Sequence, residues 1–255
     1  MPLVHSLQEV ILKHNVPFVI WCYWEGAPMN KNRALSFEYL CDNIGVPVLL
    51  VTRDNLHQFV RHDSPLHPCF EQLSIVHRSD YIRAYLLQHY GGGWHDIKAT
   101  KVSFTDSWND FADQNIWMIG RPETENGAAP VFDANGAYMP DNYLNLISVP
   151  TWIGRPDTPF SRELYQGFLS LFDTYQKELK EHPARHPREK KIKAKHMGHQ
   201  LVLFFKYLLS GRNPNYPLPW TVFGNIFHPL CLKYKEHIAR SLPIDMEKNA
   251  GIYHR

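Results

Sequence analysis

Asp80 and Arg83 stand three residues apart in Ser79-Asp80-Tyr81-Ile82-Arg83. On a helix that spacing puts a carboxylate and a guanidinium on one face. Further along, the chain reads Gly91-Gly92-Gly93-Trp94-His95-Asp96-Ile97-Lys98. Three successive glycines let the backbone turn sharply, and let a ligand or a second backbone approach with no Cβ in the way. Asp96 emerges just past that turn. A carboxylate there can take a ribose hydroxyl, or a divalent cation that holds a diphosphate. Asp80 and Arg83 would add a second acceptor and a cation for the same nucleotide. Each piece alone has a plainer reading: a surface i,i+3 pair, a glycine helix stop. Their order along the chain is what points to nucleotide chemistry.

The elements that must position these residues follow from hydrophobic periodicity. Leu3, Leu7, Val10 and Ile11 recur at helical spacing and predict a short N-terminal helix. The run 18–24 is β-rich and too short for a buried helix, and Gly26-Ala27-Pro28 ends it. Residues 32–43 read as a helix stopped by Gly45, and 47–52 as a second buried strand. Strand, helix, strand at this spacing is a βαβ unit, so a parallel sheet is expected. Leu73, Val76, Tyr81, Ala84, Tyr85 and Leu87 predict a helix over 73–90 that stops at the glycines. Residues 94–102, 116–120 and 144–152 are strand candidates, and 159–178 and 197–209 are amphipathic or buried helices. The expected fold class is α/β: one domain with a Rossmann-type, mostly parallel sheet flanked by helices, and a helical C-terminal elaboration.

Composition excludes several classes. The 255 residues carry 27 Lys+Arg against 25 Asp+Glu, a formal charge of +2, which gives no reason to expect a nucleic-acid or membrane-surface partner. At 44% hydrophobic and 20% charged, the composition is that of a globular chain and not a disordered one. Cys22, Cys41, Cys69 and Cys231 form no CxxC pair, which argues against a zinc site and for reduced thiols in a cytoplasmic protein. The longest apolar runs, 16–24 and 201–209, fall far short of the roughly 20 residues a membrane span needs, so no integral membrane segment is expected.

The ordered motifs resemble a known family. Ser79-Asp80-Tyr81-Ile82-Arg83, then Tyr90-Gly91-Gly92-Gly93-Trp94-His95-Asp96, is similar to the SDxxR…YGGxYxD signature of glycosyltransferases of the DXD sugar-binding and capsular polysaccharide synthesis type, which are family 32-like. Residues 20–29 resemble that family's first strand and nucleotide-facing loop. Residues 149–160 and 199–209 are similar to its later segments, so the resemblance covers about 16–209. It implies a GT-A fold, with a nucleotide-sugar-binding half at about 16–120 and an acceptor-side, helical half at about 121–255. It also implies transfer of a sugar from a nucleotide-sugar donor, a UDP-sugar first, to a hydroxyl of a glycan or polysaccharide acceptor, with a leaning toward retention of configuration.

Carried over residue by residue, Asp96 would be the first aspartate of the DXD and the catalytic residue. Asp80 would contact the nucleotide or the donor sugar, and Arg83 would bind the donor or brace Asp80. Gly92 and Gly93 would belong to the donor site, and Trp24 and Gly26 would border the base. Lys98 stands where the family has its second DXD aspartate, and an ammonium group cannot ligate a cation. Two readings stay open: Asp96 holds Mn²⁺ or Mg²⁺ with ligands from elsewhere, or Lys98 neutralises the leaving diphosphate itself. His199, which follows His196 at i,i+3, is the recorded candidate for a further metal ligand. Plain surface histidines are the simpler reading of that pair.

Other residues carry less. His95 adjoins Asp96 and is expected to titrate near neutral pH. Asp133, Asn135, Asp141, Asn142 and Asn145 read equally as turn chemistry or as the hydroxyl-binding side of the cleft. Trp108, Trp117 and Trp220 read as packing residues. The basic run 181–196 reads as a solvated loop, with a mobile lid or anion-attracting flank as the functional reading. Two other functions are weighed: a degenerate sugar-nucleotide or glycan-binding module with Lys98 as the lesion, and a D…DxK metal-dependent nuclease using Asp80, Asp96 and Lys98.

Overall fold

The computed structural model describes residues 6–125, 139–181, 196–210, 217–219 and 221–244. The described chain opens on a 3-10 turn, Leu7–Glu9, capped by Ser6, and not on the predicted helix. Leu3 lies outside the described residues. The turn leads into a two-residue hairpin between β1 (Leu12–Lys13) and β2 (Val16–Pro17). His14 and Asn15 close it at φ 54° and 62°, a left-handed pair that a helix cannot accommodate and that Asn tolerates. Val10 and Ile11 therefore lead into a strand.

From there the predicted βαβ unit forms: β3 (Ile20–Trp24), α1 (Lys31–Asn43) and β4 (Val48–Thr52), with β3 and β4 parallel. Helix α2 (Ile75–His89) follows, then β5 (Gly92–His95), which pairs parallel to β3 on its other side. Next come β6 (Met118–Pro122), β7 (Ile147–Gly154), α3 (Pro159–Thr174), α4 (Gln176–Glu181), α5 (Met197–Ser210), α6 (Val222–Lys233) and β8 (Ile238–Ala239). The six-stranded sheet has the order β4-β3-β5-β7-β6-β8. Only β7 runs against the others, antiparallel to both β5 and β6. The sheet is the mostly parallel, Rossmann-like one expected.

Alternation along β3 divides the core. Val19, Trp21 and Tyr23 face a cluster built with α2, α3 and α6, and Ile20 and Cys22 face one built with α1 and residues 104–111. Trp108 and Trp152 are fully buried in these layers, and Trp117 stacks on His237 at 3.7 Å. Trp220 lies outside the described residues.

The glycine turn differs from the prediction in register. The chain turns at Gly91, φ +72°, and Gly92, φ +92°, and a Cβ on Gly91 would meet the Pro156 nitrogen and the Gly154 carbonyl oxygen below 3.0 Å. Gly92 and Gly93 already belong to β5, which ends at His95 and does not run to 102. A Cβ on Gly93 would fall 2.4 Å from Ile20 Cδ1, so the bare backbone lets β3, β5 and β7 close up behind Asp96.

Candidate active site

Helix α2 is buried on nearly every side. Capped by Ser74, whose Oγ accepts from the His77 N–H, it lies between the sheet and the helices of the second half. A charge on such a helix needs a partner nearby. Asp80 and Arg83 supply it for each other: Arg83 Nη2 donates to Asp80 Oδ1, and both side chains are almost sealed from solvent. The Arg83 guanidinium also lies over the rings of Phe223 at 4.4 Å and Trp94 at 5.2 Å, a cation between two π faces. Its Nη1 donates to the Val149 carbonyl at 3.3 Å. Its Nε is buried and has no hydrogen-bond partner among the described residues.

Asp96 follows β5 at the carboxyl end of the parallel strands. Its backbone N–H donates to the Pro150 carbonyl at 2.9 Å, so Arg83 and Asp96 are moored to adjacent residues of β7. The Asp96 Oδ1 accepts from the Trp94 indole N–H at 3.1 Å and lies 3.9 Å from Arg83 Nη1. Its Oδ2 lies 3.6 Å from Lys98 Nζ. Lys98 is open to solvent, with its side chain 39% exposed, and Asp96 is partly exposed, at 23%. An acid between two cations thus faces outward, and a second acid braces one of the cations from behind.

The two carboxyls respond to this in opposite directions. Burial pushes Asp80 up to about 6; Asp96 nearby adds to the rise, against the pull of Arg83 and a backbone hydrogen bond from Phe223. Burial also pushes Asp96 up, but Arg83, Lys98 and the Trp94 N–H outweigh it and hold that carboxyl below its ordinary value. His95 does not titrate near neutral pH. Burial lowers it to about 4, and its Nδ1 hydrogen-bonds the Asp96 carbonyl at 2.5 Å.

The remaining candidates divide into those near this edge and those elsewhere. Trp24 ends β3 half-exposed, its Nε1 donating to the Ala27 carbonyl at 3.0 Å, with the Arg33 guanidinium 5.6 Å over its ring. Gly26, at φ +104°, leaves room beside Ile75 at the start of α2. Gly92 and Gly93 lie inside the sheet against Trp21, Val19 and Ile20. His199 sits on α5, where its N–H bonds His196 Nδ1, and no described contact brings it to Asp96. Asn142 is buried, with its Nδ2 lacking a described partner, while Asp141 is exposed. Asp133, Asn135 and residues 182–195 lie outside the described residues. Asp80 lies on a helix and is tied to Arg83, whereas the nuclease pattern wants its acids on strands.

Three groups at this edge were missed from sequence. Arg33 donates to the Ile97 carbonyl at 2.7 Å and so ties α1 to the turn that carries Lys98. Glu25, beside Gly26, accepts from the Tyr23 hydroxyl at 2.6 Å and from Arg78. Arg33 and Arg78 both sit in the first turn of their helices, where a surface reading is the default. Glu123 and His228, 3.5 Å apart and buried, come together only because the residue that follows β6 lies against α6.

A divalent ion needs oxygen or nitrogen donors with lone pairs to spare. Here Asp96 already faces two cations and an indole N–H, and Asp80 is committed to Arg83. No group of three or more His, Cys, Asp or Glu residues among those described is placed to hold a metal. This donor set fits Mn²⁺ or Mg²⁺ poorly.

Fold and site together describe a Rossmann-like α/β protein with a charged constellation at the carboxyl edge of its sheet, where open α/β sheets bind ligands. Residues 9–132 match the family model described as capsular polysaccharide synthesis protein. The match supports the capsular polysaccharide synthesis resemblance, and it spans β1 to β6 with Asp80, Arg83, Asp96 and Lys98 inside it. No curated protein matches the chain. No helix among the described residues is long and apolar enough to cross a membrane.

Proposed function

We propose that the chain is a glycosyltransferase of GT-A type that moves a sugar from a nucleotide-sugar donor, a UDP-sugar first, to a hydroxyl of a glycan or polysaccharide acceptor. The observation that carries this is the outward-facing Asp96 between Arg83 and Lys98 at the end of β5, inside the span that matches the capsular polysaccharide synthesis family. In the reaction, the bond between the anomeric carbon and the diphosphate oxygen breaks, and that oxygen keeps the electron pair. The acceptor oxygen forms the new bond to the anomeric carbon, and its proton passes to the departing diphosphate. The largest demand on the protein is the charge that grows on the leaving diphosphate.

Lys98 is placed to meet that charge, with Arg83 behind it. Asp96 orients both cations and offers a lone pair to a donor hydroxyl. Asp80 acts from behind, holding Arg83 in its aromatic slot. Trp24, backed by Arg33, gives the base a flat face at the end of β3. No step here passes through a metal ion.

The test is release of UDP from a panel of UDP-sugars by the wild type and by Asp96→Asn. Turnover by the wild type and a loss of about 100-fold or more in the variant, at unchanged melting temperature, is the expected result. Full activity in Asp96→Asn removes the site assignment. Nucleotide binding without turnover of any donor makes the chain a binding module instead.

A further inference from the structure

Helix α5 (Met197–Ser210) carries a row of apolar side chains in water. Met197, Leu201, Val202, Phe204, Phe205, Leu208 and Leu209 are all exposed, Met197 at 81% and Leu209 at 88%. At 100° per residue these seven positions fall within one arc of about 160°, so they form a continuous face along the helix. Exposed apolar surface of this extent is uncommon in a soluble protein unless something covers it. At about 1.5 Å per residue, a 14-residue helix is about 21 Å long, too short to cross a bilayer but long enough to lie along one.

The sequence beside α5 selects the covering surface. Arg185, Arg188, Lys190, Lys191, Lys193 and Lys195 precede it, against the single acid Glu189, and no acidic residue occurs from 190 to 210. Residues 182–195 lie outside the described part, so only their charge and their place in the chain bear on α5. With a net charge of +2 for the whole protein, this run is a local concentration of charge that the rest of the chain balances. An apolar face alone would suit many partners. An apolar face joined to six cations suits a surface that is apolar within and anionic at its rim, which is an anionic lipid bilayer.

We infer that α5 is an in-plane membrane anchor, laying its apolar face between the acyl chains of anionic lipid while the preceding basic run binds the headgroups. Overall charge conceals this because the cations are clustered. The inference is independent of the transferase reading, since it uses no residue of the Asp96 site.

The experiment is vesicle flotation with the full chain, using phosphatidylcholine alone and phosphatidylcholine with 30% phosphatidylglycerol (about that fraction suffices for a negative surface potential). Two variants accompany the wild type: Phe205→Glu on the exposed face, and Lys190→Glu with Lys191→Glu in the basic run. The wild type floats with the anionic vesicles and not with the neutral ones, and 0.5 M salt reverses it (about a 4 Å screening length). Each variant reduces anionic-vesicle binding about tenfold or more, a difference of about 1.4 kcal/mol, with an unchanged circular dichroism melt. Failure of the wild type to float overturns the inference, as does flotation unaffected by both variants. Light scattering that shows a dimer disrupted by Phe205→Glu, with no vesicle binding, also overturns it and assigns the face to a second copy.

Discussion

Two clusters of opposite charge tie helices together in this protein, and they answer to different physics. Glu163 on α3 receives two hydrogen bonds from Lys233 at 2.7 Å and one from the Tyr234 hydroxyl at 2.6 Å, next to α6. The Glu163–Lys233 pair stands in water, with side-chain exposures of 55% for Lys233 and 42% for Glu163. Such a pair is worth about 0–1 kcal/mol. The Asp80–Arg83 pair lies beneath α6 with almost no access to solvent. Burying both charges has a desolvation cost that the attraction between them barely offsets, and apolar residues of the same volume would serve the core as well. A buried pair that gains the fold little, yet reaches a partly exposed acid and a second cation, is best explained by what that acid and cation do.

The sharpest break between the clusters is Arg83→Leu. It takes the cation away from a buried carboxyl, which must then stay charged without a partner or take up a proton, so a loss of about 3–5 kcal/mol in urea unfolding at pH 7 is expected. The double variant Asp80→Asn, Arg83→Leu recovers most of that loss. Equal destabilisation in the single and double variants would mean that Arg83 serves the core through packing alone.

Acidity gives the next contrast. Asp80 has its carboxyl raised to about 6 in the fold, against an ordinary value of 3.8. Between those values the folded state holds more proton than the unfolded one, so the Asp80 contribution to stability falls as pH rises through that window. His95, lowered to about 4 from 6.5, behaves oppositely: its contribution is lost as pH falls toward 4. Denaturation from pH 4 to 7 should show the stability of the wild type relative to Asp80→Asn declining with pH, and relative to His95→Asn rising. Flat differences would place both side chains in water.

Lys98→Ala separates function from stability within the site. It should weaken UDP binding about tenfold, roughly 1.4 kcal/mol, and leave the melting temperature within about 1 °C, as expected for an exposed side chain. The smallest effect belongs to Lys233→Ala, at most about 1 kcal/mol of stability and diminishing in salt, with no change in UDP binding. A larger loss there would dissolve the contrast between the two clusters.

Much of this was legible in the sequence, for identifiable reasons. Strands β3 and β4 are buried on both faces and read as unbroken apolar runs, and α2 stops where Gly91 takes its positive φ. The motif residues Asp80, Arg83, Asp96 and Lys98 do come together. What failed depended on partners distant in sequence. Gly92 and Gly93 read as turn residues because glycine has low strand propensity, yet Trp21 and Val19 crowd the space at Gly92, and Ile20 and Ile153 that at Gly93. The reversed direction of β7 leaves no local signature. Helix α6 was missed altogether, with Pro229 inside it. Arg155 resembles a surface residue but is buried, donating to the carbonyls of His14, Phe111 and Ile116.

The central claim is that Lys98, with Arg83 behind it, receives the diphosphate in place of a metal ion. Calorimetric titration of UDP into the wild type and into Lys98→Ala, each with Mn²⁺ and again with EDTA, tests it directly. The account predicts equal wild-type affinity in both media and a drop of about tenfold in Lys98→Ala, roughly 1.4 kcal/mol. Binding that appears only with Mn²⁺ and is indifferent to Lys98→Ala would contradict it, and would give Asp96 to a metal.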